Sequence, residues 1–159
     1  ISRACYYLRQ SVNISYGNLG EFDQFQAGYT LSLYPLGNTL LVPFGSFQYQ
    51  NETSISTNET HLVYTGGVSI NTEKVSITGY INSGEIHNFI SNNGSVVYNQ
   101  SAMGLNEYGV ILQFYINKAV LKIGYSFMNM QDYYYTEEAV SSTYKFNQQN
   151  IIAGFTWNF

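Results

Sequence analysis

Apolar and polar residues alternate one by one along much of this chain, and residues 150–159 show the pattern most clearly. Every odd-numbered residue from Ile151 to Phe159 is apolar, whereas the even-numbered residues are polar or glycine apart from Ile152. Successive side chains of a β-strand point to opposite faces, so a period of two predicts a strand with one apolar and one polar face. A half-buried strand of a soluble β-sandwich would show the same alternation.

Eight alternating segments of this kind can be counted along the chain. They cover residues 5–16, 22–36, 39–50, 61–71, 74–82, 107–117, 118–130 and 150–159. The sequence therefore predicts an all-β fold of eight antiparallel strands. Its length of 159 residues predicts one domain, spanning 1–159.

The predicted connections between these segments alternate in length. Those at 36–38, 71–73 and 117–118 are short, whereas 16–25, 50–60, 82–106 and 130–147 are longer. Strict alternation would place all short turns at one end of an up-and-down barrel and all long loops at the other, as in membrane barrels. A Greek-key sandwich has no reason to sort its loops in this way.

Composition limits how the chain could cross a membrane. Charged residues make up 10% of the chain and aromatic residues 17%, and no apolar run approaches the roughly 18 residues that a membrane-spanning helix needs. Any crossing would therefore use strands. The net charge of −4 and the lack of basic runs argue against nucleic-acid binding, and the single Cys5 allows no intramolecular disulfide.

The final segment resembles a known sorting signal. Gly154, Trp157 and Phe159 match the C-terminal β-signal of bacterial outer-membrane β-barrels, although Ala153 stands where that signal has a polar residue. In strand number the chain resembles the OmpA/OmpX-like eight-stranded barrels, and its Asn-, Tyr- and Gln-rich composition resembles barrels of Bacteroidota.

This resemblance implies an eight-stranded antiparallel up-and-down transmembrane β-barrel in the outer membrane of a Gram-negative cell. Short periplasmic turns, long extracellular loops, contact with outer-membrane lipid and insertion by the barrel-assembly machinery would follow from it. Ile1 is not an initiator Met, which fits both a processed secretory product and a fragment. If the chain is a fragment, these could be the last eight strands of a larger barrel.

Two cations fall on the polar faces of the predicted strands. Arg9 and Lys122 each lie four residues after the start of a predicted segment, which predicts a similar depth inside the barrel. An eight-stranded barrel is just wide enough for side chains to fill its interior. Tyrosine hydroxyls, amides and water could satisfy both cations, or a bound anion or a partner's carboxylate could do so.

Other candidate chemistry is weak. His61 and His87 are the only histidines, and Ser83, Glu85 and Ser91 lie near His87. Neither a nucleophile–base pair nor a metal site follows from this spacing, and no motif of a barrel enzyme matches. We therefore predict no catalytic, metal-binding or cofactor-binding residue. Tyr133, Tyr134 and Tyr135 could form a partner-binding rim on the last long loop, or could extend a strand.

The function predicted from the sequence is that of a non-enzymatic outer-membrane barrel with a closed polar interior. It would act as a structural or accessory subunit bound to a protein partner in a larger envelope complex. The main alternative is an independent surface-binding or adhesion barrel that works through its extracellular loops. A lipid-modifying barrel enzyme and a narrow pore are minor alternatives.

Overall fold

A computed structural model describes most of the chain. Its backbone description covers residues 2–5, 7–19, 22–54, 58–86, 90–91, 96–97, 102–136 and 139–157, and its side-chain description covers 7–18, 23–54, 58–86, 102–132 and 143–157.

The described residues form an all-β structure. The strands are β1 (Ser2–Cys5), β2 (Leu8–Leu19), β3 (Phe22–Leu33), β4 (Leu41–Thr53), β5 (Asn58–Asn71), β6 (Val75–Ile86), β7 (Ile90–Ser91), β8 (Val96–Val97), β9 (Met103–Ile116), β10 (Ala119–Thr136) and β11 (Ala139–Trp157).

Eight long strands lie in one antiparallel sheet in the order in which they occur along the chain. The order β2-β3-β4-β5-β6-β9-β10-β11 is that of an up-and-down sheet, and β1 adds a short ninth strand beside β2. β7 and β8 form a separate two-stranded ribbon. The predicted all-β class and eight antiparallel up-and-down strands are confirmed.

The predicted start of the first strand is wrong. Residues 5–16 do not form one strand, because Cys5 ends β1, Tyr7 lies in a turn and β2 begins at Leu8. The two strands pair antiparallel from Ser2 opposite Ser11 to Cys5 opposite Leu8. The turn contains no Gly, Pro, Asn or Asp, so it carries no local signal by which sequence could find it.

The predicted sorting of connection lengths is also wrong in part. β2 ends at Leu19 and β3 begins at Phe22, while β10 ends at Thr136 and β11 begins at Ala139, so two of the four predicted long loops are mostly strand. Conversely, residues 34–40 make a longer connection between β3 and β4. Tyr, Thr and Val favour pleated backbone, and residues 131–136 of β10 pair with residues 139–145 of β11.

The sheet has two ends, and three connections define one of them. We call the end with residues 34–40, 72–74 and 117–118 the turn end, and the opposite one the far end. Gly37 (φ 66°) and Asn117 (φ 51°) provide left-handed residues in the turn-end connections.

Neighbouring strands are staggered in one direction across the whole sheet. A row of directly paired residues starts at Arg9, the second residue of β2, and ends at Asn150, seven residues before the last residue of β11. The row passes through Ser32, Phe44, Gly67, Tyr80, Gly109 and Ser126. Arg9 is one residue away from the turn-end limit of its strand, whereas Asn150 is seven residues away from that of β11. The row therefore moves six residues away from the turn end as it crosses the sheet, which is roughly 20 Å at about 3.3 Å per residue. Strands with this stagger are tilted in the way that a curling sheet requires.

Polarity across the two faces is the reverse of that in a soluble sheet. The buried face is polar: Gln24, Gln26, Gln48, Gln50, Glu52, His61, Ser76, Asn82, Glu107 and Ser126 are all buried. The opposite face is exposed and apolar, with Ile14 at 69% and Tyr64 at 52% exposure. Buried apolar residues are few in the described part of the chain: Val63 lies with Ile86 and Ala102 with Met128 and Met130 near the far end, and Ala119 is buried at the turn end. A soluble sheet would bury its apolar face instead.

The glycines of β6 provide a test of this backbone. Gly84 has φ 126° and lies so close to the Leu62 carbonyl oxygen that a Cβ would collide with it, whereas nothing lies within 4 Å of a Cβ at Gly79. We expect Gly84→Ala to lower the free energy of unfolding by about 1–3 kcal/mol because of backbone strain. The control Gly79→Ala should leave it unchanged or slightly higher. Urea unfolding followed by circular dichroism measures both variants, and equal stabilities would contradict the described backbone at Gly84.

Candidate functional site

The buried face of the sheet is the candidate site, because it holds most of the buried polar groups. Its residues come from alternate positions of neighbouring strands, such as Gln48, Gln50 and Glu52 on β4. The pleat brings these side chains to one face, and the antiparallel register then sets which of them meet across strands.

A first network surrounds Glu52 near the far end. Gln24 Nε2 donates to Glu52 Oε1 at 3.4 Å, and Gln50 Nε2 donates to the same oxygen at 2.5 Å. One level closer to the turn end, Gln26 Nε2 donates to Gln48 Oε1 at 2.5 Å. Amide groups therefore satisfy a carboxylate that is only 4% exposed.

A second network surrounds Glu107, which is also buried. Asn82 Nδ2 donates to Glu107 Oε2 at 2.7 Å, and Tyr80 Oη donates to Glu107 Oε1 at 3.2 Å. Thr65 Oγ1 in turn donates to Asn82 Oδ1 at 2.7 Å. The chain of donors runs across three strands and fixes their side chains relative to one another.

His61 lies between carboxylates at the far end. Its Nδ1 is 2.9 Å from Glu85 Oε2, and its Nε2 is 3.7 Å from Glu59 Oε2. Across the part of the chain that the structure describes, no group of three or more His, Cys, Asp or Glu side chains is arranged to hold a metal ion.

Of the residues weighed for catalysis, the structure describes the side chains of His61, Ser83 and Glu85. Ser83 Oγ donates to Asn106 Oδ1 at 2.8 Å. His61 meets Glu85, whereas His87 and the side chain of Ser91 lie outside the described residues.

Arg9 and Lys122 lie nearer the turn end than these networks. Arg9 is the second residue of β2, and Lys122 is the fourth residue of β10, paired with Gln113 and Gly154. Arg9 is exposed and lines a cavity of about 610 Å³ at the turn end. Among the side chains that the structure describes, neither cation has a hydrogen-bond or ion-pair partner.

The remaining predicted site residues lie on the last two strands. Tyr133, Tyr134 and Tyr135 lie in β10 rather than in a loop, with a register shift between Tyr134 and Tyr135, and their side chains are outside the described set. Gly154 and Trp157 lie in β11, paired with Lys122 and Ala119, and Trp157 is 54% exposed. Phe159 lies outside the described residues.

The sequence places Glu107 at the start of a predicted strand and Glu52 in the predicted 50–60 loop, and it does not predict that either carboxylate is buried. The alternation of faces could have indicated that Glu52 is buried, because Glu52 lies on the same face of β4 as Gln48 and Gln50. Their partners on the neighbouring strands, Gln24 and Asn82, could not be predicted, because they depend on the exact register of each strand pair.

Comparison with known proteins finds no matching family model, no matching curated protein and no matching solved structure. Within the described ranges, no helical segment has the length and apolar character of a membrane-spanning helix.

The Glu107 network generates a prediction. Glu107→Ala removes the acceptor used by Asn82 and Tyr80, and leaving a buried donor without its acceptor costs about 1–3 kcal/mol. We expect the free energy of unfolding to fall by about that amount. Glu73→Ala, in an exposed turn, is the matched control and should change it by less than about 0.5 kcal/mol. Denaturant unfolding of both variants is the measurement, and a neutral Glu107→Ala would show that the network contributes little.

Proposed function

We propose that this chain is a lipid-embedded outer-membrane β-barrel of the OmpA/OmpX-like kind, without enzymatic activity, acting as an accessory subunit of a larger envelope complex. The observation that carries the proposal is the reversed polarity of the sheet. Its exposed face carries residues such as Ile14, Tyr64 and Ile151, while its buried face holds glutamines and two carboxylates. Hydrocarbon is the environment that suits such an exterior, and strands can cross it only when their backbone groups are paired.

The stagger of the strands supports closure of this sheet into a barrel. Eight strands with a total stagger of eight residues have a tilt of about 36°, within the range of closed barrels. The paired row from Arg9 to Asn150 already climbs six residues. With a total of eight, Ile14 of β2 would lie opposite Ala153 of β11. The apolar exterior would then continue without a break across the join of β2 and β11.

One observation favours a larger barrel as the second candidate. β1 pairs with β2 at Leu8–Ser11, as a further antiparallel strand of the same barrel would. In that case β11 would meet another strand, and not β2. In the eight-stranded case β11 would pair with Val12–Leu19, the part of β2 that β1 does not cover.

Cysteine crosslinking separates these two candidates. All variants carry Cys5→Ser and Ile14→Cys. The second cysteine replaces Ala153 to test a stagger of eight residues, or Phe155 to test a stagger of ten. In the control variant it replaces Gln149. Closure between β2 and β11 predicts an intramolecular crosslink in lipid vesicles for one of the first two pairs and none for the control. The absence of a crosslink in both test pairs would contradict the eight-stranded closure.

Contact with lipid can be tested on the exposed face. Val110 lies six residues before the end of β9 and is 39% exposed, so Val110→Arg would cost little in water. At the middle of a bilayer the same change costs about 2–4 kcal/mol. We therefore expect Val110→Arg to destabilise folding into lipid vesicles by about that amount, and Thr143→Arg, close to the far end of β11, to have little effect. Equal effects of the two changes, or a native fold without lipid or detergent, would contradict membrane insertion.

The accessory role follows from how the interior is filled. Networks around Glu52 and Glu107 occupy the far end of the buried face, so a closed barrel of this kind would not conduct solutes. Its contribution would then be made through surfaces that meet another protein. Extraction of native membranes in mild detergent should recover a stoichiometric partner, whereas recovery of the barrel alone would favour an independent surface-binding role.

A further inference from the structure

A cavity of about 610 Å³ opens on the inner face at the turn end. Arg9 of β2 and Tyr115 of β9 both line it, although four strands lie between β2 and β9 in the sheet. The sheet is therefore curled enough for these strands to face the same space. The volume is within the range of small-ligand sites in proteins.

Arg9 is the cation of this cavity. Its side chain is exposed to the cavity, and among the described side chains it has no hydrogen-bond or ion-pair partner. A guanidinium offers a planar fork of donors that matches a carboxylate with two parallel hydrogen bonds. Lys122 also has no partner among the described side chains, but it does not line the cavity, so Arg9 is the cation that a ligand there would meet.

The lining residues indicate which anion would fit. Glu73 at the rim is the other charged residue that lines the cavity, so a ligand with one negative charge suits the site better than a phosphate dianion. Hydroxyl groups of Ser32 and Ser69 can donate to a carboxylate or accept from an amide. Phe44 and Tyr115 add aromatic surface for an apolar body.

We propose that the turn-end cavity is a binding site for a monocarboxylate with an aromatic or apolar body, such as a small organic acid or the terminal carboxylate of a peptide, and that Arg9 binds its carboxylate. The site belongs to the curled sheet itself, so it does not depend on the accessory role proposed above.

The test compares two probes that differ only in charge. N-acetyl-L-phenylalanine carries the carboxylate, and N-acetyl-L-phenylalanine amide lacks it; benzoate serves as a small acid without peptide groups. Titration of the refolded full chain by calorimetry, with the Arg9 Nε–H resonance as a local readout, should show saturable binding of the acid and at least tenfold weaker binding of the amide. If benzoate binds as tightly as N-acetyl-L-phenylalanine, the site is one for small organic acids. If N-acetyl-L-phenylalanine binds more tightly than benzoate, the site is one for the terminal carboxylate of a peptide.

Variants assign the effect to Arg9. We expect Arg9→Gln to weaken acid binding roughly 10- to 100-fold, and Arg9→Lys to weaken it less, because the charge remains while the planar fork is lost. Lys74→Gln, at the same end but outside the cavity lining, controls for net charge and should leave binding unchanged. Equal binding of acid and amide to the wild-type chain, no saturable binding of any probe, or full binding by Arg9→Gln would each overturn the proposal.

Discussion

The structure depends on one constraint, which is that a paired strand sends alternate side chains to opposite faces. Hydrogen bonding between strands satisfies the backbone, so only the side chains decide which face is buried. In this chain the polar set meets in the interior and the apolar set faces outward. The interior hydrogen-bond networks and the polar lining of the turn-end cavity follow from that arrangement.

Charges inside the sheet are distributed unevenly along its length. Near the far end, Glu52 and Glu107 accept hydrogen bonds from amide and hydroxyl donors. Near the turn end, Arg9 and Lys122 have no such partner among the described side chains. Hydrogen bonds from neutral donors lower the cost of burying a carboxylate without fixing a salt bridge. The two buried carboxylates near the far end thus have donors within the sheet, whereas Arg9 at the turn end has capacity for a partner or ligand.

Much of the fold could be predicted from the alternation of apolar and polar residues. The face on which a residue lies depends on whether its number is odd or even, and a misplaced strand end does not change that. The alternation gave the number of long strands and the face on which Arg9 and Gln50 lie. It could not give the end of β10 or the start of β11, because charged residues and tyrosines there suggested a loop. In the structure the two strands remain paired with each other in this region. The alternation could not give the β1–β2 hairpin, which lacks turn residues, or the donors to Glu52, which lie up to 28 positions away in sequence.

β1 makes the number of strands in the main sheet odd, so its two edge strands, β1 and β11, run in the same direction. Two such sheets placed side by side in the same orientation would meet edge to edge with parallel strands. That contact is mismatched to an antiparallel ladder, and exposed edges are the usual route by which sheets polymerise. Wherever these edges are open, an odd number of strands therefore disfavours the growth of one sheet into another.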